Sequence, residues 1–137
     1  MIQRMSHTTI LVPDQDQAYD FYVNRLGFEV RADATMGTFR WLTVSPKGQS
    51  DLEIVLMPIT PGPHMDEATC DTIRELVKNG EMPGGVFDTA DCRKTYEELK
   101  AEGVEFKSEP AEQFYGIAAI VKDPFGNWFS LTQPKKP

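Results

Sequence analysis

Hydrophobic and polar positions in the first half of the chain alternate in a way that predicts four strands and one helix. Asp14 is a good N-cap, because a carboxylate there can accept hydrogen bonds from the first free N–H groups of a helix. Apolar side chains then recur at helical spacing until Gly27, which favours a helix end. Segments with period-two alternation surround this helix. The pattern predicts the order β-α-β-β-β, with strands at 7–12, 28–31, 38–44 and 52–57 and a helix at 15–26.

The second half repeats this order. Asp91 takes the N-cap position that Asp14 holds, and Gly103 ends the second helix as Gly27 ends the first. A module of this length buries too little apolar surface to be stable alone, so we expect the two modules to pack together. The predicted fold is α+β, with two βαβββ modules forming a cupped mixed sheet and helices on the outside. The predicted elements are strands at 86–89, 104–106, 117–121 and 128–132 and a helix at 94–102.

The modules are joined by a segment rich in Pro and Gly. It contains one short helical pattern near 66–79, and a connection of this kind can act as a flap over a site. With 137 residues, the chain has the length of one domain. We therefore predict a single domain over 1–137, made of module 1 at about 5–58, an insert at 59–83 and module 2 at about 84–133.

A tight turn and a strand follow each other near the C-terminus, in Asp-Pro-Phe-Gly-Asn-Trp-Phe-Ser-Leu-Thr. Asp123 can accept a hydrogen bond from an N–H two residues on, and Gly126 can adopt the left-handed conformation that reverses the chain. In the strand, alternate side chains point to opposite faces. One face, with Phe129 and Leu131, is typical of a core. The other face has the composition of a site lining, and it carries Trp128, Ser130 and Thr132.

Charge and composition exclude several classes of partner. The formal net charge is −7, and no cluster of Lys or Arg forms a basic stripe, so we expect neither nucleic acid nor an anionic membrane as a partner. The chain shows no signal peptide and no apolar segment of membrane-spanning length, which predicts a cytoplasmic location. Cys70 and Cys92 lack metal-ligand spacing and are expected to be reduced, unreactive thiols.

Several motifs together resemble the glyoxalase / bleomycin-resistance / extradiol-dioxygenase family, also called the vicinal oxygen chelate superfamily. They are the paired modules, the Asp-capped helix running into Phe21-Tyr22…Leu26-Gly27-Phe28, and the closing Asp-Pro-x-Gly-Asn. The resemblance covers nearly the whole chain, and it implies this family's fold and its usual homodimer. It also implies four metal-ligand positions at equivalent points of the modules, which fall here at His7, Glu53, Gly84 and Ser130.

Two of those four positions lack a ligating side chain. Gly84 stands where the family has a His, and Ser130 stands where the glyoxalase branch has a Glu that also shuttles protons. An open catalytic site usually has three protein ligands, so we expect no metal and no other cofactor. Glyoxalase I and extradiol dioxygenase activity are not expected, although the sequence leaves open whether the protein is an enzyme. If a divalent ion does bind (Ni, Zn, Mn or Fe), His7 and Glu53 would hold it.

The predicted site is a cup lined by aromatic and a few polar residues, a composition typical of small-molecule pockets. The main hypothesis is binding or sequestration of an aromatic or partly apolar compound. The alternatives are a divalent-metal lyase or isomerase of the glyoxalase type, and a scaffold whose own side chains fill the cup. His7 as a structural histidine and Glu53 as a solvated carboxylate also stay open, as do the ligand and the role of the insert. The predicted lining consists of His7, Phe39, Trp41, Glu53, Tyr115, Trp128 and Ser130.

Overall fold

The computed structural model describes residues 1–136 and contains eight strands, three α-helices and one π-helical segment. The chain divides into two compact units, residues 1–74 and the residues from 75 onward, and the boundary falls inside the second α-helix. The predicted α+β class with two βαβββ modules is confirmed. Hydrogen bonding gives each module its own four-stranded mixed sheet. That the two units make a single domain stays a prediction.

The first module contains strands β1 to β4 and helix α1. Its sheet has the order β1-β4-β3-β2, in which β1 pairs with β4 in parallel and the other neighbours are antiparallel. Strand β2 is longer than the predicted 28–31, because its polar edge residues pair with β3 along the whole hairpin, past a bulge. The elements are β1 (His7–Val12), α1 (Gln15–Tyr19), β2 (Glu29–Met36), β3 (Phe39–Ser45) and β4 (Glu53–Pro58).

The first helix differs from its prediction in its second half. Asp14 caps it as expected, accepting a hydrogen bond from the N–H of Gln17 at 3.0 Å. After α1 the chain continues as a π-helix over Asp20–Arg25, and the N–H of Leu26 donates to the carbonyl oxygen of Phe21 at 2.9 Å. Apolar spacing does not distinguish α from π hydrogen bonding, so the predicted single α-helix over 15–26 was wrong in this detail.

The second module repeats the first with its own sheet, ordered β5-β8-β7-β6. Asp91 caps α3 by accepting from the N–H of Lys94 at 3.0 Å, as predicted. Strand β5 begins at Pro83, before the predicted start at 86, so Gly84 lies within the strand. Strand β6 extends beyond 104–106 because it pairs with β7 past two bulges. The elements are β5 (Pro83–Asp88), α3 (Cys92–Ala101), β6 (Glu105–Gln113), β7 (Gly116–Lys122) and β8 (Trp128–Pro134).

The turn before β8 is organised by one buried carboxylate. Asp123 is 2% exposed, and its Oδ1 accepts from the N–H groups of Phe125, Gly126 and Asn127 at 3.0, 3.0 and 2.9 Å. Its Oδ2 accepts from the side-chain amide of Asn127 at 2.9 Å. Gly126 has φ +118°, and a Cβ there would collide with the carbonyl oxygen of Val77. The predicted turn and its left-handed glycine are confirmed.

The insert helix α2 (Glu67–Lys78) is a packed element, which argues against a free flap. Cys70 and Val77 on this helix are almost fully buried, and the guanidinium of Arg74 donates to the carbonyl oxygen of Ile59 at 2.8 Å. No helix in the described part of the chain is long and apolar enough to cross a membrane.

Candidate functional site

Strand register brings four of the predicted site residues onto one face of the first sheet. His7 pairs with Glu53 across β1 and β4, and Val55 of β4 pairs with Thr43 of β3. Because alternate residues of a strand share a face, these side chains lie together. The opposite face holds buried core residues, including Leu42, Val44 and Ile54. We call the side defined by His7, Phe39, Trp41, Thr43 and Glu53 the first-module face.

A polar network occupies one end of this face. The hydroxyl of Thr43, which is fully buried, donates to Oε1 of Glu53 at 2.7 Å. Oε2 of Glu53 lies 3.5 Å from Nε2 of His7, and Nδ1 of His7 lies 2.8 Å from the hydroxyl of Ser6. The His7 side chain is 38% exposed and the Glu53 side chain 25% exposed. The network can therefore meet a bound molecule while its inner end stays fixed.

An aromatic surface continues from the network. The ring centroids of His7 and Trp41 are 5.9 Å apart, and those of Trp41 and Phe39 are 6.5 Å apart. Phe39 is 40% exposed, and Met36, its partner across the β2–β3 hairpin, is 66% exposed. Ala34 pairs with Trp41, so the neighbouring strand adds little bulk beside the indole. Tilted, accessible rings of this kind can contact the flat apolar surface of a ligand.

The second sheet presents a smaller face of the same kind, the second-module face, defined by Val86, Ile120, Trp128, Ser130 and Thr132. Ser130 pairs with Val86 on one side and with Ile120 on the other. The hydroxyls of Ser130 and Thr132 are 2.8 Å apart. Trp128 and Ser130 are half-buried, whereas the core residues Phe129 and Leu131 are almost fully buried, as the alternation predicted.

Tyr115 lies in a hairpin tip and not on a strand. It and Phe114 form the connection between β6 and β7, where their rings meet edge to face at 5.1 Å. Tyr115 is 43% exposed and Phe114 is 89% exposed. A role for the Tyr115 ring in ligand binding stays a prediction.

The register also bears on the metal-ligand positions. Thr9 and Val86 are equivalent positions of the two modules, because each precedes the N-cap of its module, Asp14 or Asp91, by the same number of residues. Thr9 pairs with Val55, and Val86 pairs with Ser130. The counterpart of Ser130 is therefore Val55 and not Glu53.

The donor set does not fit an open metal site. Of the four positions that the family resemblance implies, Gly84 and Ser130 carry no usual metal ligand, which leaves Glu53 and His7. Glu53 lies beside it on the same face, but one of its oxygens is taken by Thr43. Within residues 1–136 there is no group of three or more His, Cys, Asp or Glu side chains placed to hold a metal ion. Three protein ligands are usual in such sites, so the donors present fall short of that number.

Because alternate side chains of a strand point to opposite faces, Arg40 lies on the side of the first sheet opposite the first-module face. Its guanidinium binds both carboxylate oxygens of Asp33 at 2.9 and 3.0 Å and one of Asp16 at 2.7 Å. The hydrogen bond from Arg40 holds the pKa of the Asp33 carboxyl below its usual value. Arg40 thus joins α1 to the sheet and has a structural role.

Two cavities lie elsewhere, in the second module. One of about 500 Å³ lies between α3 and β6, lined by residues that include Tyr96, Lys100 and Phe106. The other, of about 340 Å³, lies beside the β6–β7 hairpin, lined by residues that include Gln113, Ile117 and Gln133. Neither cavity is lined by a predicted site residue.

Comparison with known proteins places this geometry in a family. The solved structure of UcmS2 is 46% identical, with a TM-score of 0.91, and the match covers 96% of this chain and 98% of that one. TnmS3, described as an antibiotic binding protein from Streptomyces sp. CB03234, is 31% identical, with a TM-score of 0.76 and 98% of both chains covered. The uncharacterized protein YurT of Bacillus subtilis is 36% identical over 127 residues, 92% of this chain and 95% of YurT. Residues 4–131 match the Glyoxalase/Bleomycin resistance protein/Dioxygenase superfamily, and the chain belongs to that superfamily.

Proposed function

We propose that this protein binds or sequesters an aromatic or partly apolar small molecule, and that the first-module face is its primary contact surface. The observation that carries the proposal is the run of accessible rings, His7, Trp41 and Phe39, next to the half-buried carboxylate of Glu53. An apolar surface with a few convergent polar groups is the usual composition of a small-molecule site.

A related protein supports the same function. TnmS3, which is 31% identical over nearly the whole chain, is described as an antibiotic binding protein. Antibiotic binding needs no metal or catalytic base, and it agrees with the incomplete donor set around His7 and Glu53. We propose that Trp128 and Ser130 contact ligand on the second-module face, and that Tyr115 does so at its hairpin tip.

The proposal is tested by a thermal-shift screen of aromatic compounds, antibiotics included, on metal-free protein, followed by calorimetry on the compounds that bind. Trp41→Ala removes the central ring of the first-module face and should weaken binding about tenfold or more, since a buried aromatic contact is worth well over 1 kcal/mol. Tyr19→Ala removes a ring beside Arg40, on the opposite side of the first sheet, and is the matched control, with affinity expected to change less than about twofold. Binding unaffected by Trp41→Ala would refute the assignment to this face.

The same preparation tests the absence of a cofactor. Elemental mass spectrometry should find substoichiometric Ni, Zn, Mn and Fe, and added ions should leave the melting temperature unchanged. Stoichiometric metal that is lost in His7→Ala would instead favour the lyase or isomerase hypothesis.

We also propose that the protein is a homodimer, as the family resemblance implies, and that it is cytoplasmic, as the sequence predicts. Light scattering coupled to size-exclusion chromatography should give twice the 15.5 kDa of one chain. A monomer mass at micromolar concentration would contradict this part of the proposal.

A further inference from the structure

Glu53 is an acidic side chain of the first-module face that lies against one of its rings, the imidazole of His7. The β2 residues paired with Phe39 and Trp41 are uncharged, and so is Ala32, the β2 partner of Thr43. The acidic residue Asp33 pairs with Leu42, so it lies on the opposite face, where Arg40 neutralises it.

The other charged residues of β2 lie at the far end of the hairpin. Glu29 pairs with Ser45, two residues beyond Thr43 on β3, and Arg31 donates to the hydroxyl of Ser45 at 3.1 Å. Phe39 and Trp41 lie toward the other end of the same strand. Glu53 also lies near Ser45 by strand register, but its side chain reaches His7, whose ring lies 5.9 Å from that of Trp41. A ligand on the rings therefore meets the negative charge of Glu53 beside His7, and the strand positions paired with Phe39 and Trp41 carry no Lys or Arg that would offset it.

Thr43 fixes the orientation of that charge. An ionised carboxylate has no proton to give, so in the 2.7 Å hydrogen bond the threonine hydroxyl must be the donor. Thr43 is fully buried and lies on the strand next to Glu53, which gives its hydroxyl little freedom to turn elsewhere. Oε1 of Glu53 is thus held by Thr43, and Oε2 lies on the side of His7.

Oε2 keeps capacity to accept a hydrogen bond. Its distance to Nε2 of His7 is 3.5 Å, longer than the 2.7–3.2 Å that is typical of an N–H···O bond. Each carboxylate oxygen can accept about two hydrogen bonds. Because Glu53 is only 25% exposed and its Oε2 lies 3.5 Å from Nε2 of His7, a ligand that covers the rings of His7 and Trp41 would also remove water from Oε2. The ligand must then supply a donor in place of that water, or binding weakens.

We propose that Glu53 determines specificity on this face: it selects aromatic ligands that carry a hydroxyl or ammonium donor beside the ring, and it rejects aromatic carboxylates. Thr43 is the positioning residue that aims Glu53. This inference rests on the proposed function, since it names the ligand class of the same site.

The size of the selection follows from the electrostatics. A hydrogen bond to a charged group strengthens binding by about tenfold to a hundredfold over the same ligand without the donor. A carboxylate placed near Oε2 meets repulsion of a like charge, which in a partly desolvated site costs at least about tenfold in affinity.

The test uses four probes that share one ring system: naphthol, its methyl ether, naphthoate and naphthylmethylammonium, each titrated by calorimetry into the full chain. Wild-type protein should bind naphthol and the ammonium compound at least about tenfold more tightly than the ether, with naphthoate weakest. Thr43→Val keeps the side-chain shape but removes the hydroxyl, and it should reduce the naphthol-to-ether ratio toward one. Thr43→Ser keeps a hydroxyl, so its naphthol-to-ether ratio should stay close to that of the wild-type protein.

Glu53→Gln removes the charge, so naphthoate should gain affinity relative to the ammonium probe. Thr72→Val and Glu97→Gln are matched controls at exposed helical positions, and both should leave all four affinities unchanged. The ratio of affinities is the readout because loss of stability alone would weaken every probe alike.

The possible outcomes distinguish failure of the specificity inference from failure of the proposed function. Probes that bind wild-type protein with no preference for a donor, or a preference that survives both Glu53→Gln and Thr43→Val, would overturn the specificity inference and leave the proposed function standing. Failure of every probe to bind at millimolar concentration would overturn the aromatic site on this face, and the inference with it.

Discussion

The turn before β8 gives the sharpest prediction about stability. Asp123→Ala removes a carboxylate that accepts three backbone N–H groups and the side-chain amide of Asn127. The N–H and amide of Asn127 are in a residue only 3% exposed, so water does not readily replace the lost acceptor. The N–H of Gly126 keeps its longer contact to the carbonyl oxygen of Asp123 at 3.3 Å.

The magnitude follows from counting the groups that lose their acceptor in a buried place. A buried donor that loses its acceptor costs about 1–3 kcal/mol, and two such donors on Asn127 give about 2–6 kcal/mol for Asp123→Ala. Asp123→Asn keeps one oxygen for the backbone N–H groups but places an amide nitrogen toward the amide of Asn127. It should cost about 1–2 kcal/mol, the loss of a single hydrogen bond.

Urea denaturation followed by circular dichroism measures both variants, with unchanged m-values as the check that the transition stays two-state. The order wild type, Asp123→Asn, Asp123→Ala should be clear in the midpoints. The matched control is Asp71→Ala, which removes a carboxylate from the exposed side of α2. That variant should cost less than about 1 kcal/mol, as expected for a surface ion pair. If Asp123→Ala cost no more than Asp71→Ala, the assignment of Asp123 as the organising group of the turn would be wrong.

Three further predictions concern other parts of the chain. Gly126→Ala should destabilise the protein by more than about 2 kcal/mol, because the φ of Gly126 is +118° and a Cβ would collide with the carbonyl oxygen of Val77. Chemical denaturation measures the loss in free energy of unfolding, and a loss under about 1 kcal/mol would contradict the prediction. Asp33 has a lowered pKa in the folded state, so its pairing with Arg40 stabilises the fold above the unfolded pKa of about 3.9, and this stabilisation is lost as the pH falls below that value. Arg40→Ala should therefore make the stability less dependent on pH in this acid range, and an unchanged dependence would contradict the prediction. Burial raises the pKa of the Cys92 thiol, so alkylation of native protein at neutral pH should be slow and should become fast in denaturant; rapid native labelling would show that the thiol is accessible.

The elements were predictable wherever local chemistry determines them. Asp14 and Asp91 cap helices through their own side chains, and Gly27, Gly103 and Gly126 adopt positive φ at the chain reversals, so a single residue type carries each signal. The long edge strands were not predictable to their full length. The polar residues of β2 and β6 become strand through pairing with β3 and β7, which is a tertiary effect.

The candidate site, like the fold, could be predicted from the sequence only in part. Strand alternation alone put Phe39, Trp41 and Thr43 on one face and Arg40 on the other. It did not show that Thr43 hydrogen-bonds Glu53, because that contact depends on the register between β3 and β4. Register also shows that Ser130 corresponds to Val55, which sequence spacing alone had not distinguished from Glu53.

The most direct test of ligand binding on the first-module face uses the indole N–H signals in a nitrogen-15 NMR spectrum. The chain has two tryptophans, Trp41 and Trp128, so two signals are expected, and Trp128→Phe assigns them. Titration with a compound found in the thermal-shift screen should shift the Trp41 signal in a saturable way, at the affinity found by calorimetry. A shift of the Trp128 signal would indicate that the second-module face also contacts the ligand. A Trp41 signal that stays in place while the compound binds would contradict the central claim.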